Sequence, residues 1–230
     1  MSVLDSPSAT VTDYYGYARP EVRDLVPAGA RQILDIGCGA GALGASLKQR
    51  QRCHVTGIEA VPEAATAARA HLDDVRSGDA FEELAALPLE HFDTIILADM
   101  LEHVADTDGL LSLARERLAP SGRLVLSIPN VRHWSVLMPL LAGRWDYREA
   151  GILDRTHLRF FTRHSMREAL EQNGFWIEAM SATLMPLAIP RELFLPLSHA
   201  EIDVADLVED LQRYQYLWVC GKNARVDAAG

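Results

Sequence analysis

The stretch Gln32-Ile33-Leu34-Asp35-Ile36-Gly37-Cys38-Gly39-Ala40-Gly41-Ala42-Leu43-Gly44 decides the fold. Its first five residues read as a short buried strand, and a helix is expected over about 41–50. Between them lie glycines at 37, 39 and 41, which permit a tight turn and a close approach of the backbone to a ligand. The end of a strand followed by a helix N-terminus is where open α/β sheets bind their ligands. The spacing alone is ambiguous. Both Gly39-x-Gly41-x-x-Gly44 and Gly37-x-Gly39-x-x-Ala42 satisfy the dinucleotide fingerprint. Asp35 separates the options, because a carboxylate two residues before the first glycine would repel a pyrophosphate. It suits an ammonium group or a well-held water.

Outward from this loop, strands and helices alternate. His54 to Ile58 reads as a second strand ending at Glu59, a natural acceptor for ribose hydroxyls. Pro62 opens an Ala-rich helix reaching about His71, since proline is tolerated in a first helical turn. Val75-Arg76-Ser77 is a short third strand, followed by Asp79, which is placed to accept from an adenine amino group. Together these residues imply a ligand with an amino acid, a ribose and an adenine, and no phosphate. Phe92 to Ala98 forms a nearly apolar fourth strand, a helix is expected over about 107–118, and Ala119-Pro120-Ser121-Gly122 is a turn before a fifth strand at Arg123 to Ile128. Buried strands alternating with helices imply a parallel sheet covered on both faces. Helix periodicity returns at about 165–173, followed by strands at Phe175 to Met180 and Tyr216 to Cys220.

The chain has 230 residues, 49% of them hydrophobic, and 22 basic against 32 acidic side chains give a net charge of -10. At this size a single α/β domain burying roughly 70% of its unfolded surface is expected. Within that domain, 1–30 reads as an N-terminal cap, 130–163 as an acceptor-side insertion after the fifth strand, and 183–213 as a segment that caps the pocket or pairs two subunits into a homodimer. No apolar run reaches the ~18 residues of a membrane span, and residues 1–12 show no secretory signal. The three cysteines (Cys38, Cys53, Cys220) are scattered, which fits a reducing cytoplasm. The acidic balance argues against nucleic acid as a partner.

With the Asp35–Gly41 loop, Glu59, Gly78-Asp79-Ala80 and the Phe92–Val104 segment in hand, the chain resembles the class I S-adenosylmethionine-dependent methyltransferases over about residues 14–180. The resemblance implies a Rossmann-like seven-stranded mixed sheet of order 3-2-1-4-5-7-6, with the seventh strand antiparallel. It also implies that Glu59 holds the ribose, Asp79 and Ala80 the adenine, and the backbone of Gly37, Cys38 and Gly39 the methionine part. Ala98 lies at the edge of the same crevice. In the segment Asp13 to Arg19, Tyr15 could cover the cofactor and Arg19 could pair with its carboxylate, although the tyrosines equally suit packing against the sheet.

Asp99, Glu102 and His103 leave the fourth strand at i, i+3 and i+4, so a helical turn would put all three on one face. Two carboxylates and an imidazole can bind a divalent metal ion, with His157 from the insertion as a fourth ligand. The acid-x-x-Glu-His pattern is similar to that of the ubiquinone-pathway O-methyltransferases and the small-RNA 2′-O-methyltransferases, which implies metal-dependent transfer to a hydroxyl. The sequence departs from them in carrying the shorter Asp99 where those families usually have Glu. His103 or His157 acting as a catalytic base is an equal reading, and so is a metal-free pocket in which His103 only lines the wall.

The insertion interleaves Trp134, Trp145 and Tyr147 with Arg132, Arg144, Arg148, Arg155, Arg159 and Arg163. Aromatic faces beside polar forks suit a sugar or glycan acceptor. Residues 154–162 could equally be a self-satisfied hydrogen-bond network. The leading expectation is O-methylation of a small polar acceptor, with a role in polysaccharide biosynthesis. RNA ribose methylation and a non-catalytic S-adenosylmethionine-binding module are the alternatives, and a nicotinamide oxidoreductase is the weakest of the readings.

Overall fold

The computed structural model describes residues 17–185, 194 and 202–222. Seven strands form one sheet: β1 (Gln32–Ile36), β2 (His54–Glu59), β3 (Asp74–Ser77), β4 (Phe92–Ala98), β5 (Leu118–Pro129), β6 (Phe175–Leu184) and β7 (Arg213–Lys222). Their order is β3-β2-β1-β4-β5-β7-β6. The first five strands pair in parallel, while β7 runs antiparallel to both β5 and β6. This is the expected Rossmann-like architecture.

Along β1, β4 and β5 successive side chains point to opposite faces, and both faces are buried. Leu34, Ile36, Ile95, Leu97, Leu124, Leu126 and Ile128 pack into the larger core cluster. The helices α4 (Ala80–Ala85), α5 (Thr107–Arg117) and α7 (Arg163–Gln172) supply Leu84, Leu110, Leu111, Ala114, Met166 and Leu170 to it. Ile33, Ile96 and Val125 face the other way, against Val22 of α1 (Pro20–Arg23), Leu43 and Leu47 of α2 (Ala42–Arg50) and Ala68 of α3 (Pro62–Ala68). Two further helices are α6 (Trp134–Leu141) and α8 (Val204–Asp210).

Three sequence expectations need correction. The turn placed at 119–122 is absorbed into β5, which begins at Leu118 and accommodates the extra residues by a register shift against Phe92 and Thr94. The insertion contains a helix, α6, whose apolar sequence WSVLMPLL with an internal Pro139 gave no amphipathic period to read. β7 is twice the expected length, because its polar start at Arg213 to Gln215 pairs with Leu184, Thr183 and Pro129. Of the segment 183–213, the end of β6, α8 and the start of β7 are described, while Tyr15 and residues 186–193 and 195–201 lie outside the described residues.

Gly57 ties the fold to the crevice. A Cβ there would lie 2.5 Å from Cys38 Sγ and 2.6 Å from Leu72 Cδ1. Gly57→Ala is expected to cost about 1–3 kcal/mol through overpacking, read by denaturant unfolding, because Cys38 sits in the turn and cannot swing away freely.

Candidate active site

The β1–α2 turn is built from left-handed glycines, with φ of +78° at Gly37, +54° at Gly39 and +83° at Gly41. Three of its amides are bonded to the end of β2. The Gly37 and Cys38 N–H groups donate to the Ile58 carbonyl at 2.8 and 3.1 Å, and Gly39 N–H donates to Glu59 Oε2 at 2.8 Å. The amides of Gly37, Cys38 and Gly39 are therefore already spent within the protein. A pyrophosphate needs donors, whereas an ammonium group needs acceptors, so three spent amides beside the buried Asp35 disfavour a pyrophosphate at this turn.

Glu59 is buried at the end of β2, with Oε2 held by Gly39 and Oε1 accepting from Val61 N–H at 2.8 Å. Each oxygen keeps a lone pair for a hydroxyl. Asp79 is the N-cap of α4, its Oδ1 accepting from Phe81 and Glu82 N–H at 2.9 and 3.3 Å, with Ala80 buried behind it. Asp35 is 2% exposed and has no hydrogen bond among the described residues. Burial first, and then the neighbouring Glu59 charge, push its carboxyl up to about 7, with Arg19 partly opposing. An acid so poorly satisfied is what an incoming cation would relieve.

Arg19 is committed elsewhere. It forms ion pairs with Asp99 and Glu21, and donates to Ser127 Oγ at 2.9 Å. Asp99 is the centre of this knot: its Oδ1 also accepts from Ser127 Oγ at 2.7 Å and from Gln215 Nε2 at 2.8 Å. The expected helical turn over 99–103 does not form. Asp99 has φ +53°, and only Leu101–His103 adopt a 3-10 turn. The left-handed residue directs Asp99 toward Arg19, so it does not share a face with Glu102 and His103. Ser127 and Gln215 were missed in the sequence. The lone hydroxyl in the apolar run of β5 was a readable signal for the first, but nothing local marks the second.

Glu102, His103 and His157 do converge, with one ligand atom from each lying within 4.8 Å of the others. Glu102 is 1% exposed, and among the described residues no other residue hydrogen-bonds either carboxylate oxygen. Burial and the nearby Asp99 charge hold it well above the usual carboxylate range. The two imidazoles meet edge to face at 4.7 Å between ring centroids. His157 Nδ1 bonds the Ile152 carbonyl at 2.9 Å, and burial lowers the pKa of its ring. Beyond it, His157 and Phe160 lie 6.3 Å apart, and Phe160 touches Trp145 at 5.1 Å, so an aromatic wall runs outward from the cluster. Ala98, at the end of β4, pairs with Ser127 beside it.

Most of the insertion's arginines are spoken for. Arg132 pairs with Asp206 and Asp210, Arg163 with Asp206 and Arg155 with Glu149, while Arg159 donates to the Ala105 carbonyl.

A seven-stranded sheet of this order, with a glycine turn after β1 and carboxylates at or just past the ends of β1, β2 and β3, defines a Rossmann-like α/β fold. A methyltransferase-domain family model matches residues 13–179, and the chain belongs to that family, the class I S-adenosylmethionine-dependent methyltransferases. Among curated relatives, the ubiquinone biosynthesis O-methyltransferase of Xylella fastidiosa is 38% identical over 112 residues, covering 46% of this chain and 44% of that protein. Its counterpart from Aeromonas salmonicida is 29% identical over 156 residues, covering 66% of this chain and 65% of that protein. The chain spans about half the length of the curated relatives it matches. A SAM-dependent methyltransferase from Archaeoglobus fulgidus superposes with a TM-score of 0.65 at 20% identity, covering 92% of this chain and 97% of that one. The magnesium protoporphyrin IX methyltransferase of Synechocystis gives 0.62 at 16% identity, covering 95% and 90%. Both show a shared fold. Among the described residues, no helix is long and apolar enough to cross a membrane.

Proposed function

We propose that the protein transfers a methyl group from S-adenosylmethionine to a hydroxyl of a small polar acceptor, with a sugar or glycoconjugate diol as the leading class. The observation that carries this reading is the convergence of Glu102, His103 and His157 beside the cofactor crevice. S-adenosylmethionine, when bound, supplies an electrophilic methyl carbon. The residues fit it: Asp35 suits the ammonium, Glu59 the ribose hydroxyls, and Asp79 with Ala80 the adenine edge.

A sugar hydroxyl is a poor nucleophile at neutral pH, so it must shed its proton as its oxygen attacks the methyl carbon and the C–S bond breaks. Two imidazoles are at hand to take that proton, and burial lowers the pKa of the His157 ring, which keeps it in the neutral, proton-accepting form. A divalent cation also fits, because Glu102 is a buried carboxylate with no partner, and bound there it would lower the pKa of a coordinated hydroxyl. Glu102, His103 and His157 would hold it, while Asp99 stays on Arg19. The aromatic wall of Phe160 and Trp145 would place the acceptor ring and exclude water.

A phenolic acceptor is the second reading, favoured by that wall and by the O-methyltransferase relatives. RNA is disfavoured, since Arg132, Arg155 and Arg163 are already paired with carboxylates. Free thiols at Cys38, Cys53 and Cys220 support a reducing compartment such as the cytoplasm.

Incubation with methyl-labelled S-adenosylmethionine and Mn²⁺ should label free or nucleotide-linked sugars on oxygen, with transfer reduced by EDTA. Label on a catechol but on none of the sugars would transfer the assignment to the phenolic reading. Label on a nitrogen acceptor, or transfer undiminished by a His103→Ala/His157→Ala double variant, would contradict the mechanism.

A further inference from the structure

Resting on the cluster reading above, we infer that Thr156, backed by Asp154, is a positioning residue that fixes the tautomer of His103. Asp154 is 8% exposed, and its Oδ1 accepts two bonds from Thr156, from the backbone N–H at 2.8 Å and from the hydroxyl at 2.6 Å. The same hydroxyl oxygen lies 3.2 Å from His103 Nδ1. Thr156 has a single hydroxyl proton, and a carboxylate can only accept, so that proton belongs to Asp154. The hydroxyl oxygen must then accept from His103, which places the imidazole proton on Nδ1. Nε2 is left as a lone pair, and among the described residues it has no hydrogen-bond partner.

His157 reaches the same state by a different route. Its Nδ1 faces the Ile152 carbonyl, which can only accept, so Nδ1 carries the proton and Nε2 the lone pair. Both rings therefore carry their lone pair on Nε2, in the cluster where one nitrogen of each converges with Glu102, and that lone pair is what a metal ion or an acceptor hydroxyl would need. The two anchors differ in one respect. The carbonyl beside His157 is fixed by the backbone, whereas the Thr156 hydroxyl would serve either tautomer if Asp154 did not claim its proton. The direction of the relay is set by the carboxylate. The Asp154-x-Thr156-His157 spacing thus gives one short segment two tasks: it carries one imidazole and orients the other.

The test is nitrogen-15 NMR of the histidine rings in the metal-free protein at pH 8, together with Mn²⁺ titration, on wild type, Thr156→Val and Thr156→Ser. Wild type and Thr156→Ser should show His103 with its proton on Nδ1. Thr156→Val should shift toward the Nε2-protonated or mixed form and bind Mn²⁺ roughly 10–100-fold more weakly, with Thr156→Ser close to wild type. A wild-type His103 protonated on Nε2, or a Thr156→Val protein with an unchanged tautomer, would overturn the relay. Wild-type protein that shows the Nδ1 tautomer but takes up no Mn²⁺ would support the relay and overturn the metal reading alone.

Discussion

Asp35→Asn is expected to make the ligand-free protein more stable and the cofactor complex much weaker. The Asp35 carboxyl is buried with no side-chain hydrogen bond among the described residues, and burial together with Glu59 pushes its pKa up to about 7. In the unfolded chain the group would titrate near 4. Between those two values the folded state holds a proton that the unfolded state has lost, so stability falls as pH rises through this window. Removing the charge should therefore raise the unfolding free energy by about 1–3 kcal/mol at pH 8 and change little at pH 4. Cofactor affinity should move the other way, falling roughly 100-fold when a buried carboxylate facing an ammonium becomes an amide. In the wild type, an ammonium ligand favours the charged acid, so binding below pH 7 should release a proton and weaken as pH drops. Calorimetric titration with S-adenosylhomocysteine in two buffers of different ionisation enthalpy measures that proton directly. A variant that loses stability at pH 8, or binding without proton release at pH 6, would show that Asp35 has another role.

Glu102 makes a parallel case with a larger catalytic effect. Its two oxygens lie buried and unpartnered between Asp99 and the two imidazoles. Glu102→Leu fills nearly the same volume without polar atoms, and should raise stability by about 1–3 kcal/mol. The same change should lower methyl transfer by about 100-fold, since the neighbouring Asp99 carboxylate is held by Arg19 and Ser127. Thermal unfolding and initial rates on one preparation would separate the two effects. A destabilised Glu102→Leu with full activity would mean that the carboxylate is structural.

These sites, where the chain sacrifices stability, were partly legible in the sequence for physical reasons. Asp35, Glu59 and Asp79 could be placed because each ends or follows a strand, and strand ends in a parallel sheet converge on one edge. Glu102 and His103 were found by local spacing, and His157 by residue type. Asp99 was misplaced because helical spacing assumes helical φ, and a left-handed residue at the first position redirects the side chain. The partners that claim Asp99 come from α1's leading residue, β5 and β7, separated by up to 116 positions, and no local pattern carries such a contact. Likewise, six arginines lie in the insertion, but α8 supplies Asp206 and Asp210 to two of them, Arg132 and Arg163. Charge counted along a segment says little about charge left exposed.

The most direct test of the central claim is an anomalous-scattering map of crystals soaked with Mn²⁺ and S-adenosylhomocysteine. The nucleoside is expected against Glu59 and Asp79, its ammonium at Asp35, and a single manganese peak among Glu102, His103 and His157 with Asp99 still paired to Arg19. A map with the nucleoside in place and no peak at that cluster, or with a peak ligated through Asp99, would contradict it.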